Sequence, residues 1–160
     1  MKEIKLVNNK GIALVDDEDY ELLSKFNWIF SKKDVGYAQV RVYINGKWTT
    51  KKMHQLLINA TKKFQVDHID GNGLNNQKFN LRIVTRSQNK MNGNKYKNSS
   101  SIFKGVSWCK RDNKWRANIR LNKKLYFLGS FINEIDAAKA YNEKAKELFG
   151  KYAKLNEVEK

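Results

Sequence analysis

Apolar residues in the first third of the chain come in short runs broken by turn formers. Ile4-Lys5-Leu6-Val7 and Ile12-Ala13-Leu14-Val15 read as two strands joined through Asn8-Asn9-Lys10-Gly11. Asp16-Asp17-Glu18-Asp19 then places acids where the positive end of a helix dipole favours them, and Tyr20, Leu23 and Phe26-Asn27-Trp28 are predicted as that helix's apolar stripe. A hairpin follows, turning at Asn45-Gly46 between Tyr43-Ile44 and Lys47-Trp48; both turn positions tolerate positive φ, which favours a type I′ turn. A short helix from Met53 to Ile58 is expected next. Two further strands, Val66–Ile69 and Leu81–Val84, flank the Gly- and Asn-rich stretch 71–80, and Ser87–Met91 opens another helix.

Residues 91–101, MNGNKYKNSSS, lack apolar periodicity and have the composition of a linker. Beyond them the pattern predicts three strands, near Gly105–Cys109, Trp115–Leu121 and Lys124–Leu128, and then a helix. Asn133 is its N-cap, Glu134 and Asp136 lie in its first turn, and Gly150 stands just past its end. Ala138, Tyr141, Ala145 and Leu148 give that helix one apolar face. The expected organisation is α+β: residues 1–92 as one domain (an α+β segment over 1–53, then the strand–loop–strand–helix segment 54–92), 93–101 as linker and 102–160 as a second domain.

Charge sharpens this picture. Lys and Arg number 32 against 16 Asp and Glu, which points to a polyanionic partner. The imbalance is steepest over residues 54–98, with eight basic and two acidic groups. Cys109 is the lone cysteine, so neither a disulfide framework nor a cysteine-based structural zinc site is expected. No apolar segment is long enough to span a bilayer, and MKEIKLVNNK lacks the apolar core of a signal peptide. Hence a soluble protein in the cytoplasm of a bacterial or phage-infected cell, without membrane contact, is expected.

Candidate chemistry concentrates in VDHIDGNGLNNQKFNLRIVTRSQNKMN, residues 66–92. A carboxylate (Asp67) and an amide oxygen (Asn89) are hard donors suited to Mg²⁺ or Mn²⁺, and the neutral imidazole of His68 can take a proton from water. The order and spacing of Asp67-His68, Asn80 and Asn89 resemble the HNH nuclease motif in its His-Asn-Asn form, found in phage and intron-borne homing endonucleases. The resemblance implies a ββα-metal fold and a catalytic set of His68, Asn80 and Asn89. His68 would be the general base, Asp67 and Asn89 would ligate one divalent cation, and Asn80 would brace the hairpin loop. Asn75 and Asn76 sit where related sequences have Asp or Asn before an Arg, a position Gln77 fills here. His54 is expected to pack or to support the site from behind.

The segment from Phe103 to Asn156 is similar to the plant-type AP2 DNA-binding domain, through Gly105-Val106, Trp115-Arg116-Ala117, Ile119-Arg120, Leu128-Gly129-Ser130-Phe131 and Asp136-Ala137-Ala138. Trp115, Ala117 and Ile119 alternate with Arg116, Asn118 and Arg120, so one face can pack on the Ala-rich helix while the other faces outward. The resemblance carries DNA contacts onto Lys104, Ser107, Arg116, Asn118, Arg120, Leu125 and Phe127; Ser107, Leu125 and Phe127 depart from the plant pattern. Trp108 and Tyr126 are assigned to the core. Arg82, Arg86, Lys95 and Lys97 are further candidate DNA contacts.

Together these resemblances imply a site-directed, homing or phage-type DNA endonuclease acting on double-stranded DNA with one divalent cation. A monomer that nicks one strand is expected. The alternative is a non-catalytic AP2-type DNA-binding protein with a vestigial nuclease fold; RNA processing fits less well, because an AP2-like sheet suits the wide B-form major groove.

Overall fold

A computed structural model describes residues 1–158 except 33–35, 59, 62, 96 and 97. The chain forms two compact units, Met1–Arg86 and Ser87–Lys160.

In the first unit, β1 (Lys2–Lys5) pairs antiparallel with β2 (Ile12–Val15), with Ile4 opposite Ala13. Helix α1 (Asp17–Leu23) carries three acids in its first turn. It stops earlier than the apolar pattern predicts, and Phe26–Trp28 lie outside it. The reason is Trp28. Its ring is fully buried, and its Nε1 donates to the Leu23 carbonyl at 2.7 Å, so the chain turns back to satisfy both the ring and the indole N–H. Strands β3 (Ile29–Ser31), β4 (Tyr37–Ile44) and β5 (Lys47–Lys52) form an antiparallel sheet in that order, β3 being a strand the sequence pattern did not reveal. At the β4–β5 turn Asn45 has φ 49° and Gly46 φ 76°, as a type I′ turn requires. Helix α2 (Met53–Leu57) follows, with Met53 buried against Leu6, Val15, Leu23, Trp28 and Ala38.

Strands β6 (Gln65–His68) and β7 (Leu81–Val84) form a separate two-stranded ladder that sets Asp67 opposite Arg82 and His68 opposite Leu81. The loop between them is tied to β2: Leu14 N–H donates to the Leu74 carbonyl at 2.9 Å and Asn76 N–H to the Leu14 carbonyl at 2.8 Å. Asp16 receives the backbone N–H of Lys78 at 2.7 Å and the Gln77 side chain at 3.3 Å. Gly73 lies so close to the start of β4 that a Cβ there would stand 2.0 Å from the Gly36 carbonyl oxygen. Only glycine fits that contact.

The second unit contains helix α3 (Arg86–Asn92) from its second residue onward, β8 (Val106–Cys109), β9 (Lys114–Leu121), β10 (Lys124–Phe131) and helix α4 (Glu134–Phe149). Its sheet is antiparallel with β9 in the centre. Val106 and Ala117 pack on Ala137 and Ala138, while Ile119 packs on Tyr141, Ala145 and Phe149, so β9 buries one face on α4. Tyr126 packs against this core; Trp108 does not join it, staying 38% exposed and edge-on to Trp115. Asn133 caps α4 by accepting from Ile135 N–H at 2.8 Å. Met91 packs against the Ile119 cluster, which explains why α3 groups with this unit. The stretch expected as a linker is in part bound: Ser99 Oγ donates to the Val106 carbonyl at 3.2 Å, Trp108 N–H to Ser100 Oγ at 2.8 Å, and Ser101 Oγ to Glu134. Ser99–Ser101 belong to the second unit, their hydroxyls supplying partners for its backbone and for the first turn of α4.

Candidate active site

The β6–β7 ladder positions the chemistry. In a strand, neighbouring side chains point to opposite faces, so Asp67 and His68 leave β6 on different sides. Both are nevertheless buried, at 6% and 3% exposure. Asp67 meets its cross-strand neighbour Arg82, whose Nε and terminal nitrogen both donate to Oδ2, at 2.9 and 2.7 Å. Two charge-assisted bonds on one oxygen fix the carboxylate's orientation. Arg82, expected as a DNA contact, is thus paired with Asp67 within the site.

His68 Nε2 lies 3.4 Å from Asn76 Oδ1, and Asn76 is fully buried with its Nδ2 donating to the Leu74 carbonyl at 3.1 Å. That second bond fixes which end of the amide faces the imidazole. An oxygen facing Nε2 suits the tautomer protonated at that nitrogen. Burial pulls the His68 pKa below its ordinary value, and this outweighs the Asn76 bond and the nearby Asp70 and Asp67 charges, which pull upward. His68 is thus neutral at neutral pH, the form in which an imidazole accepts a proton.

Two aromatic residues from other elements complete its surroundings. The Tyr37 ring lies 5.7 Å from that of His68, and the His54 ring, from α2, is edge-on at 4.9 Å. Tyr37 also contacts His54 at 5.2 Å and carries the Lys52 ammonium 3.7 Å above its face. His54 is 5% exposed, its Nδ1 is buried without a hydrogen-bond partner, and its pKa is lowered to about 3, first by burial and then by His68 and Lys52. Tyr37 is not marked by the sequence as a site residue and arrives through tertiary packing, while Asn76, noted only as a position of the motif loop, is brought to His68 by that loop.

The loop between the strands is held by its own side chains. Asn80, 2% exposed, accepts from Asp70 N–H at 3.0 Å and donates to Asp70 Oδ1 at 3.0 Å and to the Asn75 carbonyl at 2.8 Å. Asp70 also receives Asn72 N–H at 2.7 Å and Asn75 Nδ2 at 2.8 Å. These are the turn-forming bonds that Asn and Asp make with nearby backbone. They shape the loop that presents Asn76 to His68.

The structure gathers Asp67, His68, Asn80 and Arg82 in the first unit. Asn89 stands on α3, within the second unit. Among the described residues no group of three or more His, Cys, Asp or Glu could hold a metal ion. The donors the motif supplies, one carboxylate and one amide oxygen, fit an ion that keeps most of its coordination for water and phosphate oxygens, which is the habit of Mg²⁺.

The remaining candidate contacts are spread. Arg86 is exposed. Lys95 donates to the Ser101 carbonyl at 3.1 Å, and Lys97 lies outside the described residues. Lys104 turns its ammonium onto the Met91 carbonyl, and burial, helped by Lys154, lowers its pKa to about 8. Arg116 is paired with Asp112. On the same outer face of the sheet Ser107 and Arg120 are exposed, Asn118 is half-buried, and Leu125 and Phe127 are 54% and 61% exposed.

Residues 59–91 match the family described as HNH endonuclease. The chain is 34% identical over 158 residues to a protein of Acanthamoeba polyphaga mimivirus named "Uncharacterized HNH endonuclease L560", covering 96% of this chain and 80% of the relative. It is also 34% identical over 95 residues to "Protein 3.8" of Escherichia phage T7, covering 59% of this chain and 77% of that protein. No solved structure matches. The likeness to the mimivirus protein runs through both units, the family match contains the Asp67-His68 and Asn80–Asn89 motif, and the chain belongs to the HNH endonuclease family.

Proposed function

We propose that the protein is a site-directed endonuclease of the homing or phage type that hydrolyses double-stranded DNA, with His68 as general base. The observation that carries this is the setting of His68: buried, with Asn76 Oδ1 facing its Nε2 and its pKa held below the ordinary imidazole value by burial. His68 takes a proton from water as the oxygen attacks phosphorus in line; the bond to the 3′ oxygen breaks, and that oxygen leaves as a hydroxyl with a proton from solvent. Asp67, oriented by Arg82, would supply the carboxylate donor for a divalent cation, Mg²⁺ or Mn²⁺, and the motif resemblance assigns Asn89 as the amide donor. When bound, such a cation offsets the charge that develops on the phosphate and the departing oxygen. Asn80 acts through the loop it holds and does not itself meet the reacting atoms.

The second unit is the proposed reader, an AP2-like module. Its outward sheet face offers Ser107, Asn118, Arg120, Leu125 and Phe127, with Arg116 held back by Asp112. A two-stranded or larger antiparallel surface of this kind can enter the B-form major groove. A single unpaired nuclease motif and one reader suit a monomer that nicks one strand.

Incubating supercoiled plasmid carrying a cognate site with Mg²⁺ or Mn²⁺, and in parallel with chelator, tests the reading. Cation-dependent conversion to open circle supports it. Binding of the plasmid without cutting in either cation would instead leave the non-catalytic DNA-binding alternative.

A further inference from the structure

The β4–β5 hairpin presents a surface that none of the assigned contacts uses. Along β4, Ala38 and Val40 are buried, so Tyr37, Gln39, Arg41 and Tyr43 share the opposite face. Across the ladder, Trp48 pairs with Tyr43, Thr50 with Arg41 and Lys52 with Gln39, which extends that face onto β5. At its tip Tyr43 and Trp48 are 62% and 63% exposed and meet edge-to-face at 5.4 Å. The Arg41 guanidinium lies over the Trp48 ring at 5.6 Å. At its base Lys52 sits over Tyr37, which touches His54 and His68. One face therefore runs from an exposed aromatic pair, past an exposed Arg, to the rings around His68.

Charge identifies the occupant. From Val35 to Val66 the sequence has no acid, while Arg41, Lys47, Lys51, Lys52, Lys62 and Lys63 are basic. Lysines on an edge strand can simply discourage sheet-to-sheet pairing, and β5 is such an edge. That function gives no reason to expose a Trp and a Tyr side by side at the tip, where they cost solubility. Aromatic rings interleaved with cations suit duplex DNA, whose sugars and thymine methyl groups offer apolar surface between phosphates. A two-stranded ribbon also matches the width of the B-form major groove.

We propose that the outer face of the β4–β5 hairpin is a DNA-contact surface in its own right, gripping duplex beside the cleaved bond through Arg41, Tyr43 and Trp48. This rests on the nuclease reading. The test measures affinity of the full-length protein for a labelled duplex by fluorescence anisotropy, and cutting under single-turnover conditions at saturating DNA. Tyr43→Thr/Trp48→Thr keeps strand propensity and should weaken binding by about tenfold or more, with the cutting rate at saturation unchanged. Trp48→Phe should restore most of the affinity. Arg41→Gln, with the aromatic pair intact, should weaken binding in the same direction, and it carries the test should the double variant fail to fold. Wild-type affinity in Arg41→Gln and in a folded double variant, with the wild-type protein binding and cutting normally, would overturn the hairpin surface and leave the nuclease reading standing. A change in sedimenting mass at unchanged DNA affinity would assign the face to a second copy of the chain and also overturn it. A wild-type protein that neither binds nor cuts DNA would remove both.

Discussion

Asn76 turns its amide oxygen to His68: its Nδ2 is committed to the Leu74 carbonyl, so its Oδ1 faces His68 Nε2 at 3.4 Å. Asn76→Asp would put a carboxylate there and favour the charged imidazole, raising the His68 pKa. With His68 as the proposed base, catalysis needs the neutral ring, so activity should be lost as pH falls through that pKa. The acid limb of the pH–rate profile should therefore move to higher pH in Asn76→Asp, while the plateau at alkaline pH changes less. An acid limb left in place would show that Asn76 does not act on His68.

Arg82 and Asp67 face each other across β6 and β7 with little exposure, 16% and 7% for the side chains. Removing Arg82 takes two charge-assisted bonds from a buried carboxylate. Arg82→Ala should destabilise the first unit by about 3 kcal/mol or more, visible as an earlier denaturation transition. Arg82→Lys should recover some of this, since one ammonium cannot reproduce both guanidinium bonds.

Much of the fold is legible from local chemistry. Asn45-Gly46 turns where positive φ is cheap, Asn133 caps α4 through its own side chain, and the alternation in β9 puts Ala117 and Ile119 on the helix. What escapes is decided by residues far apart in sequence. Trp28 looks like a continuation of α1 because its spacing fits, yet burial of its ring and the demand of its N–H end the helix at Leu23. The Asp67–Arg82 pair needs the strand register, and the cluster of Tyr37, His54 and His68 draws on three separate elements. Asp67-His68 announces itself; the residues that tune it do not.

Acid sensitivity follows from His54 and His68. Both have folded pKa values below the ordinary imidazole value near 6.5, so both stay neutral in the fold while the unfolded chain takes up protons. Their contribution to stability is present above pH 6.5 and is lost as pH falls below it. With the His54 pKa at about 3, the loss from this residue alone should reach about 3 kcal/mol by pH 4. Denaturant titrations of wild type and His54→Gln between pH 7 and pH 4 should show a flatter dependence in the variant.

On the second unit, Asp112 pairs with Arg116, which the proposed reading makes a DNA contact. Asp112→Ala should raise duplex affinity and steepen its salt dependence, because one more cation becomes available to a phosphate. Arg120→Ala, at an exposed position on the same face, should weaken binding by ~1–3 kcal/mol if the side chain reaches a base. Anisotropy titrations at several salt concentrations distinguish these effects.

The most direct measurement is the single-turnover cleavage rate of His68→Ala against wild type on supercoiled plasmid in Mg²⁺ or Mn²⁺, with duplex affinity measured in parallel. Loss of the base should lower the rate by ~10²–10⁴ and leave affinity nearly unchanged, with open circle as the wild-type product and linear DNA late. A variant that cuts as fast as wild type, or a wild-type protein that binds the plasmid and leaves it intact in both cations, would contradict the assignment of His68 as the base of a DNA-cutting site.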